Sequence, residues 1–283
     1  MSDSTLSTIA GQRLAKVKDG KMNKKTIYLY NPSYKCCRHH DKKCRGDCCD
    51  KCCEYYYHVD DVEKNVKYCK LSDDGVFSLL PTDLKGQTDV IFLCGERGCG
   101  KSTTIASYLE EFIKIHKNQK IFLFSQKKND DNLDEFIDKR IDLNTYVDKG
   151  CLTLEDFKNP CVTIFDDIDC LTNTKENSNL KEKIYSLMNS LIQIGRSQGI
   201  TVIQTAHLAR DHEVTKHVLN GCSRFIFFSN AVTQQIKDAL KLYLGLSTEQ
   251  IKLITNLKNT NHVTVIKTSP RVILTEKEIF ILQ

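Results

Sequence analysis

No stretch of the 283-residue chain approaches the roughly 18 consecutive apolar residues that a bilayer-crossing helix needs, so no membrane span is expected. The opening residues, Met1-Ser2-Asp3-Ser4-Thr5, lack the charged-then-apolar order of a signal peptide. No segment repeats itself. A large net charge is missing too: the formal value is +5, which by itself points to no partner. These absences leave a soluble chain made in a cytosol-like compartment as the expectation. Hydrophobic residues form 40% of the chain, enough to fill a core, which excludes global disorder. The length suits one sizeable α/β domain with a smaller appendage.

Cysteine is abundant, with 14 residues. Cys94, Cys99, Cys161 and Cys170 lie in or beside apolar runs, where small buried side chains or free thiols belong rather than disulfide staples. A reducing compartment follows. Charge is unevenly placed: residues 1–53 hold 12 Lys/Arg against 5 Asp/Glu, and the remainder is near balance at 29 against 31. A basic N-terminal segment can touch nucleic acid; a solvated tail reads equally well.

Residues 95–102 read Gly95-Glu96-Arg97-Gly98-Cys99-Gly100-Lys101-Ser102, a complete phosphate-binding loop. The apolar run Val90-Ile91-Phe92-Leu93 before it reads as a buried strand, and residues 101–116 have helical spacing at Ile105, Leu109, Phe112 and Ile113. The glycines let backbone N–H groups face phosphate oxygens at a helix N-terminus. Lys101 adds a full positive charge, and Ser102 a hydroxyl for Mg²⁺, with Thr103 beside them. ATP or GTP is the expected ligand.

A second apolar run, Val162-Thr163-Ile164-Phe165, ends in Asp166-Asp167. An acid at such a strand end can hold Mg²⁺ through water, the role given to Asp166. Asp167 can orient or deprotonate the attacking water. The strand Thr201-Val202-Ile203-Gln204 is expected to lie between the phosphate-loop and acid strands, with Gln204 reaching the γ-phosphate or the water. Thr205 and His207 are weaker candidates, His207 more structural than catalytic. Arg196 is the candidate arginine finger, reaching a neighbouring subunit's nucleotide, with Arg210 and Arg224 in competition.

Strands and helices alternate from residue 90 onward, which implies an α/β domain with a mostly parallel sheet covered on both faces. The expected organisation is a flexible basic arm over residues 1–24, a small module over 25–71 and a phosphate-loop ATPase domain over 72–283, with 72–87 as a link. Residues 180–194 carry the apolar stripe of a core-packed helix.

Residues 36–53 hold seven cysteines and two histidines with few apolar neighbours. Zinc would replace the missing core, and Cys37, His40, Cys49 and Cys52 make one tetrahedral set among several. Disulfides and redox-active thiols remain open alternatives. Interleaved basic residues suit phosphate contacts.

The phosphate loop, the Asp166-Asp167 pair, Arg196 and Gln204 together resemble the FtsK–HerA superfamily of DNA-pumping ATPases. Residues 187–230 are most similar to its poxvirus-type branch, the genome-packaging ATPases of large DNA viruses. The resemblance covers residues 88–230. It implies a RecA-like sheet, a homo-oligomeric ring with ATP and Mg²⁺ at subunit interfaces, and hydrolysis coupled to translocation of double-stranded DNA. It also implies a capsid or packaging partner and a place in the host cytoplasm, the virus assembly site or the virion. Many cellular members carry glutamate where Asp167 stands, and no family motif matches the cysteine cluster. A DNA-packaging motor is therefore the leading expectation. The alternatives are a nucleotide-gated zinc adaptor without sustained turnover and a P-loop phosphotransferase, which would need a lid and an acceptor pocket.

Overall fold

The computed structural model describes residues 4–8, 11–30, 67–82, 88–146, 151–157, 160–171, 175–207 and 213–282. Five strands come first: β1 (Thr5–Ser7), β2 (Gln12–Lys18), β3 (Thr26–Tyr30), β4 (Tyr68–Lys70) and β5 (Val76–Leu79). An alternating stretch follows, with β6 (Val90–Cys94), α1 (Lys101–Ile115), β7 (Lys120–Ser125), β8 (Lys139–Asp142), β9 (Cys161–Phe165), α2 (Lys175–Gln198) and β10 (Ile200–Ala206). The remainder is α3 (Glu213–Gly221), β11 (Arg224–Phe228), α4 (Gln234–Leu242), α5 (Thr248–Thr255), β12 (His262–Ile266), β13 (Val272–Leu274) and β14 (Glu278–Ile281).

Ten of these strands form one sheet in the order β4-β14-β13-β12-β11-β6-β10-β9-β7-β8. From β11 to β8 all neighbours are parallel, and from β12 to β4 they are antiparallel. The parallel sheet expected from the sequence is thus one half of a mixed sheet. Strands β6, β9, β10 and β11 are buried at every position, as parallel strands covered on both faces must be. On one face Phe92, Phe165 and Phe225 pack with Ile184 and Leu191 of α2. On the other, Ile91, Leu93 and Ile164 pack with Ile105, Leu109 and Phe112 of α1. Strand β10 lies between β6 and β9, so the phosphate-loop strand and the acid strand flank an intervening one, as expected.

The N-terminal region departs from expectation. Residues 1–24, expected as a flexible arm, carry β1 and β2, which join β3 and β5 in an antiparallel sheet of order β1-β3-β2-β5. Leu14, Val17, Ile27, Leu29, Phe77 and Leu79 pack in the same cluster as the apolar side of α1. Lys18 pairs with Glu110 at 2.7 Å and Lys16 with Glu111 at 3.4 Å, tying β2 to that helix. A register shift between Arg13 and Ala15 makes Leu14 and Ala15 both buried, which breaks the period-two pattern by which a strand is read. Residues 72–87 are no mere link, because β5 pairs with β2 from Ala15↔Leu79 to Lys18↔Val76. The boundaries expected at 24/25 and 71/72 therefore cut through a single sheet. The cysteine cluster, with Cys37, His40, Cys49 and Cys52, lies outside the described residues.

Candidate active site

The apolar strand β6 delivers the chain to the phosphate loop at the C-terminal edge of the parallel strands, where α/β sheets place their ligands. A Cβ on Gly95 would sit 2.6 Å from both Cys99 Sγ and a ring carbon of Phe228, so only glycine fits this tight turn. Gly100 precedes α1 with φ 106°, a left-handed conformation that favours glycine. It brings no capping side chain, and the first turn of α1 contains no acid. The amide donors there remain available for an anion.

Strands β6, β7 and β9 bring a cleft of about 210 Å³ together, lined by Arg97, Gly98, Gly100, Lys101, Ser102, Thr103, Lys127, Asn132, Asp166 and Asp167. Gly95, Glu96 and Cys99 shape the loop instead of lining the cleft. The Lys101 ammonium donates to the Gly95 carbonyl at 2.8 Å and lies 3.6 Å from Asp167 Oδ1. Ser102 donates its hydroxyl to Asp130 at 2.9 Å.

The two acids are held differently. Asp166 is buried, with Ser125 donating to Oδ2 at 2.9 Å and Lys127 Nζ 3.2 Å from the same oxygen. Asp167 adopts a left-handed φ of 48°, unusual for a non-glycine residue. Its backbone N–H donates to Thr205 Oγ1 at 2.8 Å, and that hydroxyl lies 3.0 Å from both Asp166 Oδ1 and Asp167 Oδ1. A hydroxyl has one proton, so it donates to one acid at a time. Lys127 also lies 3.9 Å from Asp167 Oδ2. Burial opposes the Lys127 charge, but the Asp166 and Asp167 carboxylates outweigh it and raise its pKa above the ordinary lysine value.

Ser102 and Asp166 put a hydroxyl and a carboxylate on one cleft beside uncapped amides and Lys101. That donor set fits a magnesium-bound nucleoside triphosphate, with phosphates on the loop and the hard cation on the oxygens.

Other expected residues lie elsewhere. Gln204 is buried inside β10, opposite Phe92 and Phe165 in register, and does not line the cleft. Strand alternation turns it toward the α2 face and turns Thr205 to the acids. Its Oε1 has no hydrogen-bond partner among the described residues. Thr205, the weaker candidate in the sequence, is the polar group that reaches the acid pair. Arg224 is no finger: it is 2% exposed, with Nε donating to Asp89 at 2.9 Å. Arg210 lies outside the described residues.

Arg196 is exposed in the last turn of α2, just ahead of β10. Because β10 runs toward the cleft over 7 residues, or about 23 Å at 3.3 Å per residue, Arg196 stands at the opposite edge of the sheet. His207 follows β10 with Nε2 3.8 Å from Asp167 Oδ2. Its Nδ1 lies 2.6 Å from Cys170 Sγ, and its backbone N–H donates to Asp169 at 3.0 Å. Burial, with Asp169 and Asp167 adding to it, pushes the Cys170 thiol up to about 11.

Lys127, Asn132, Ser125 and Asp130 belong to no motif in the sequence. The available signal was their place just beyond the apolar run at 121–124, since residues following parallel strands converge on this edge.

A family model described as "ATPase family associated with various cellular activities (AAA)" matches residues 91–230. The chain is 30% identical over 185 residues to the protein described as "Uncharacterized protein V3" of Sputnik virophage, covering 60% of this chain and 68% of that one. Among solved structures, it is similar to the genome packaging NTPase B204 from Sulfolobus turreted icosahedral virus 2 in complex with ATP-gammaS. That likeness has a TM-score of 0.43 and 17% identity, over 69% of this chain and 98% of that one. The cytoplasmic domain of the Thermomonospora curvata Type VII secretion ATPase EccC is similar with a TM-score of 0.46 and 13% identity, over 74% of this chain and 28% of that one.

Proposed function

The chain belongs to the same family as protein V3 of Sputnik virophage and carries the P-loop ATPase fold, and from that premise we propose that it is an ATP-hydrolysing motor that moves double-stranded DNA and packages a viral genome into its capsid. The observation that carries the hydrolytic part is the meeting of Lys101 with the Asp166–Asp167 pair across one cleft. A triphosphate on the loop lies within reach of a paired acid, which suits attack by water. The DNA-packaging part is supported by the FtsK–HerA-like order of phosphate loop, acid pair and Arg196, and by the viral origin of the relative.

Lys101 and the amides at the start of α1 bind the phosphates. Ser102 and Asp166 hold Mg²⁺, which when bound neutralises phosphate charge. Asp167 orients the attacking water and accepts its proton on a carboxylate oxygen, while Thr205 and Lys127 fix that carboxylate. Arg196 completes the cleft of the next subunit in a homo-oligomeric ring, which its place at the far sheet edge favours over action on its own nucleotide. A protein partner at the capsid receives the motor. Zinc held within residues 36–53, with Cys37, His40, Cys49 and Cys52 as one set, belongs to the same proposal and is tested by the zinc lost when Cys37 and Cys49 are replaced by serine.

Steady-state ATP hydrolysis with and without long double-stranded DNA tests the reading, with Asp167→Asn as the control. Strong stimulation by DNA, lost in the variant, is the expected result. Tight ATP binding with hydrolysis indifferent to DNA would replace the motor by a nucleotide-gated adaptor.

A further inference from the structure

One cluster of ligating side chains stands beside the cleft without a task in the mechanism above. Asp169 and Cys170 lie in the single 3-10 turn after β9, and His207 follows β10. The carboxylate oxygen, sulfur and ring nitrogen they offer lie within 4.8 Å of one another. Asp169 Oδ2 accepts the His207 backbone N–H. The other oxygen, Asp169 Oδ1, is buried without a hydrogen-bond partner among the described residues. A buried carboxylate oxygen left unpaired is costly, and a cation would satisfy it. On the far side of the imidazole, Nε2 faces Asp167 Oδ2 at 3.8 Å. A ring with one nitrogen toward ligands and the other toward a carboxylate has the arrangement of a metal-bound histidine and its outer partner.

We propose that Asp169, Cys170 and His207 form a binding site for a borderline-soft divalent cation of the zinc class. Thiolate and imidazole favour such an ion over Mg²⁺ or Ca²⁺, which take oxygen ligands. Three protein ligands leave a fourth position for water, and the exposure of Cys170 opens it to solvent. Zinc bonds of about 2.3 Å to sulfur and about 2.0–2.1 Å to nitrogen set those atoms farther apart than they stand here, and rotation of the exposed Cys170 side chain supplies the gap. A free cysteine nucleophile is the competing use of a sulfur next to an imidazole. The carboxylates of Asp167 and Asp169 decide against it, because they repel a bare thiolate and attract a cation.

The ion has a consequence for hydrolysis, and this part rests on the reading of Asp167 as the acid that handles water. A cation on Nδ1 fixes the proton on Nε2 and strengthens its pull on Asp167 Oδ2. His207 is then a positioning residue through which metal occupancy adjusts the acid.

The test uses the full chain, stripped with a chelator under reducing conditions and reloaded with Zn²⁺ alone. Alkylation of Cys170 by a maleimide, followed peptide by peptide by mass spectrometry, is expected to slow at least tenfold with Zn²⁺ and not with Mg²⁺. Cys170→Ser and His207→Ala are each expected to hold one equivalent of Zn²⁺ less than the wild type and, in a parallel reload with Co²⁺, to lose one thiolate-to-Co²⁺ absorption component, while ATP analogue binding persists. Ligands in residues 36–53 are common to all three proteins, so the difference isolates this site. Equal zinc content in all three, with Cys170 alkylation indifferent to Zn²⁺, would overturn the site. Protection of Cys170 with hydrolysis unchanged by Zn²⁺ would uphold the site and overturn its coupling to Asp167. Failure of the wild type to bind ATP would sink the motor reading and leave the zinc result standing.

Discussion

The hydroxyl of Thr205 accepts the backbone N–H of Asp167 at 2.8 Å and lies 3.0 Å from Oδ1 of the same residue. One side chain on the intervening strand β10 thereby fixes both the backbone and the carboxylate of the acid beyond β9. The left-handed φ of Asp167 persists because it is held from two sides.

Replacing Thr205 by valine keeps the shape and removes the hydroxyl. Hydrolysis is expected to fall on the order of 10- to 100-fold, the usual cost of losing a group that supports a metal-site acid. ATP affinity should change little, and Thr205→Ser should recover most of the rate. Equal rates for the valine and serine variants would show that the hydroxyl is dispensable.

Arg196 is expected to act across a subunit boundary. Arg196→Ala and Asp167→Asn should each be inactive alone, yet mixed together they should regain measurable hydrolysis, because some interfaces then pair an intact arginine with an intact acid. Mixtures as silent as their components would remove Arg196 from the site.

The pair formed by Arg224 and Asp89 is almost entirely buried, with side chains 2% and 3% exposed. Asp89 also accepts from Tyr108 at 2.7 Å and from the Thr82 amide at 2.9 Å. Arg224→Ala leaves that carboxylate uncompensated, and breaking a buried pair in this way costs about 3–5 kcal/mol. Urea unfolding is the measurement, and a loss below about 1 kcal/mol would show the pair to be unimportant.

Glu276 links the segment before β12 to the β13–β14 turn, taking bonds from the amides of Asn261 and His262 and pairing with His262 Nδ1 at 2.9 Å. Burial alone would raise its pKa, but His262 and Thr260 outweigh burial and hold it at about 2, against an ordinary 4.5. Between those values the unfolded chain binds the extra proton, so the contribution is full above about pH 4.5 and fades as pH falls toward about 2. Glu276→Gln should cost on the order of 1–3 kcal/mol near pH 5, where an ordinary imidazole carries its charge, and the gap from wild type should close on acidification through that window. A gap independent of pH would refute this origin.

Much of the nucleotide half is legible in the sequence because its strands are buried on both faces and read as unbroken apolar runs. The apolar runs 90–93 and 162–165 fall within β6 and β9 for that reason. Strand β8 escaped notice because Lys139-Arg140-Ile141-Asp142 is an edge strand with a single buried position. Strand β2 was hidden by its bulge, and β5 by its polar surroundings. In the site, covalent neighbours were readable and spatial ones were not. The phosphate loop and acid pair announce themselves, whereas Thr205, Lys127 and Ser125 gain meaning only when four parallel strands bring their ends together. Gln204 and Thr205 are adjacent in the sequence, but one residue along a strand changes the face, and Thr205 is the one beside the acids.

Strand β3 belongs to the small sheet and β4 to the edge of the large one, so residues 31–66 leave one sheet and return in the other. A chain begun at residue 72 would strip β5 of its partner β2 and uncover Phe77 and Leu79. Replacing residues 31–66 with a linker would leave all the described strands their neighbours.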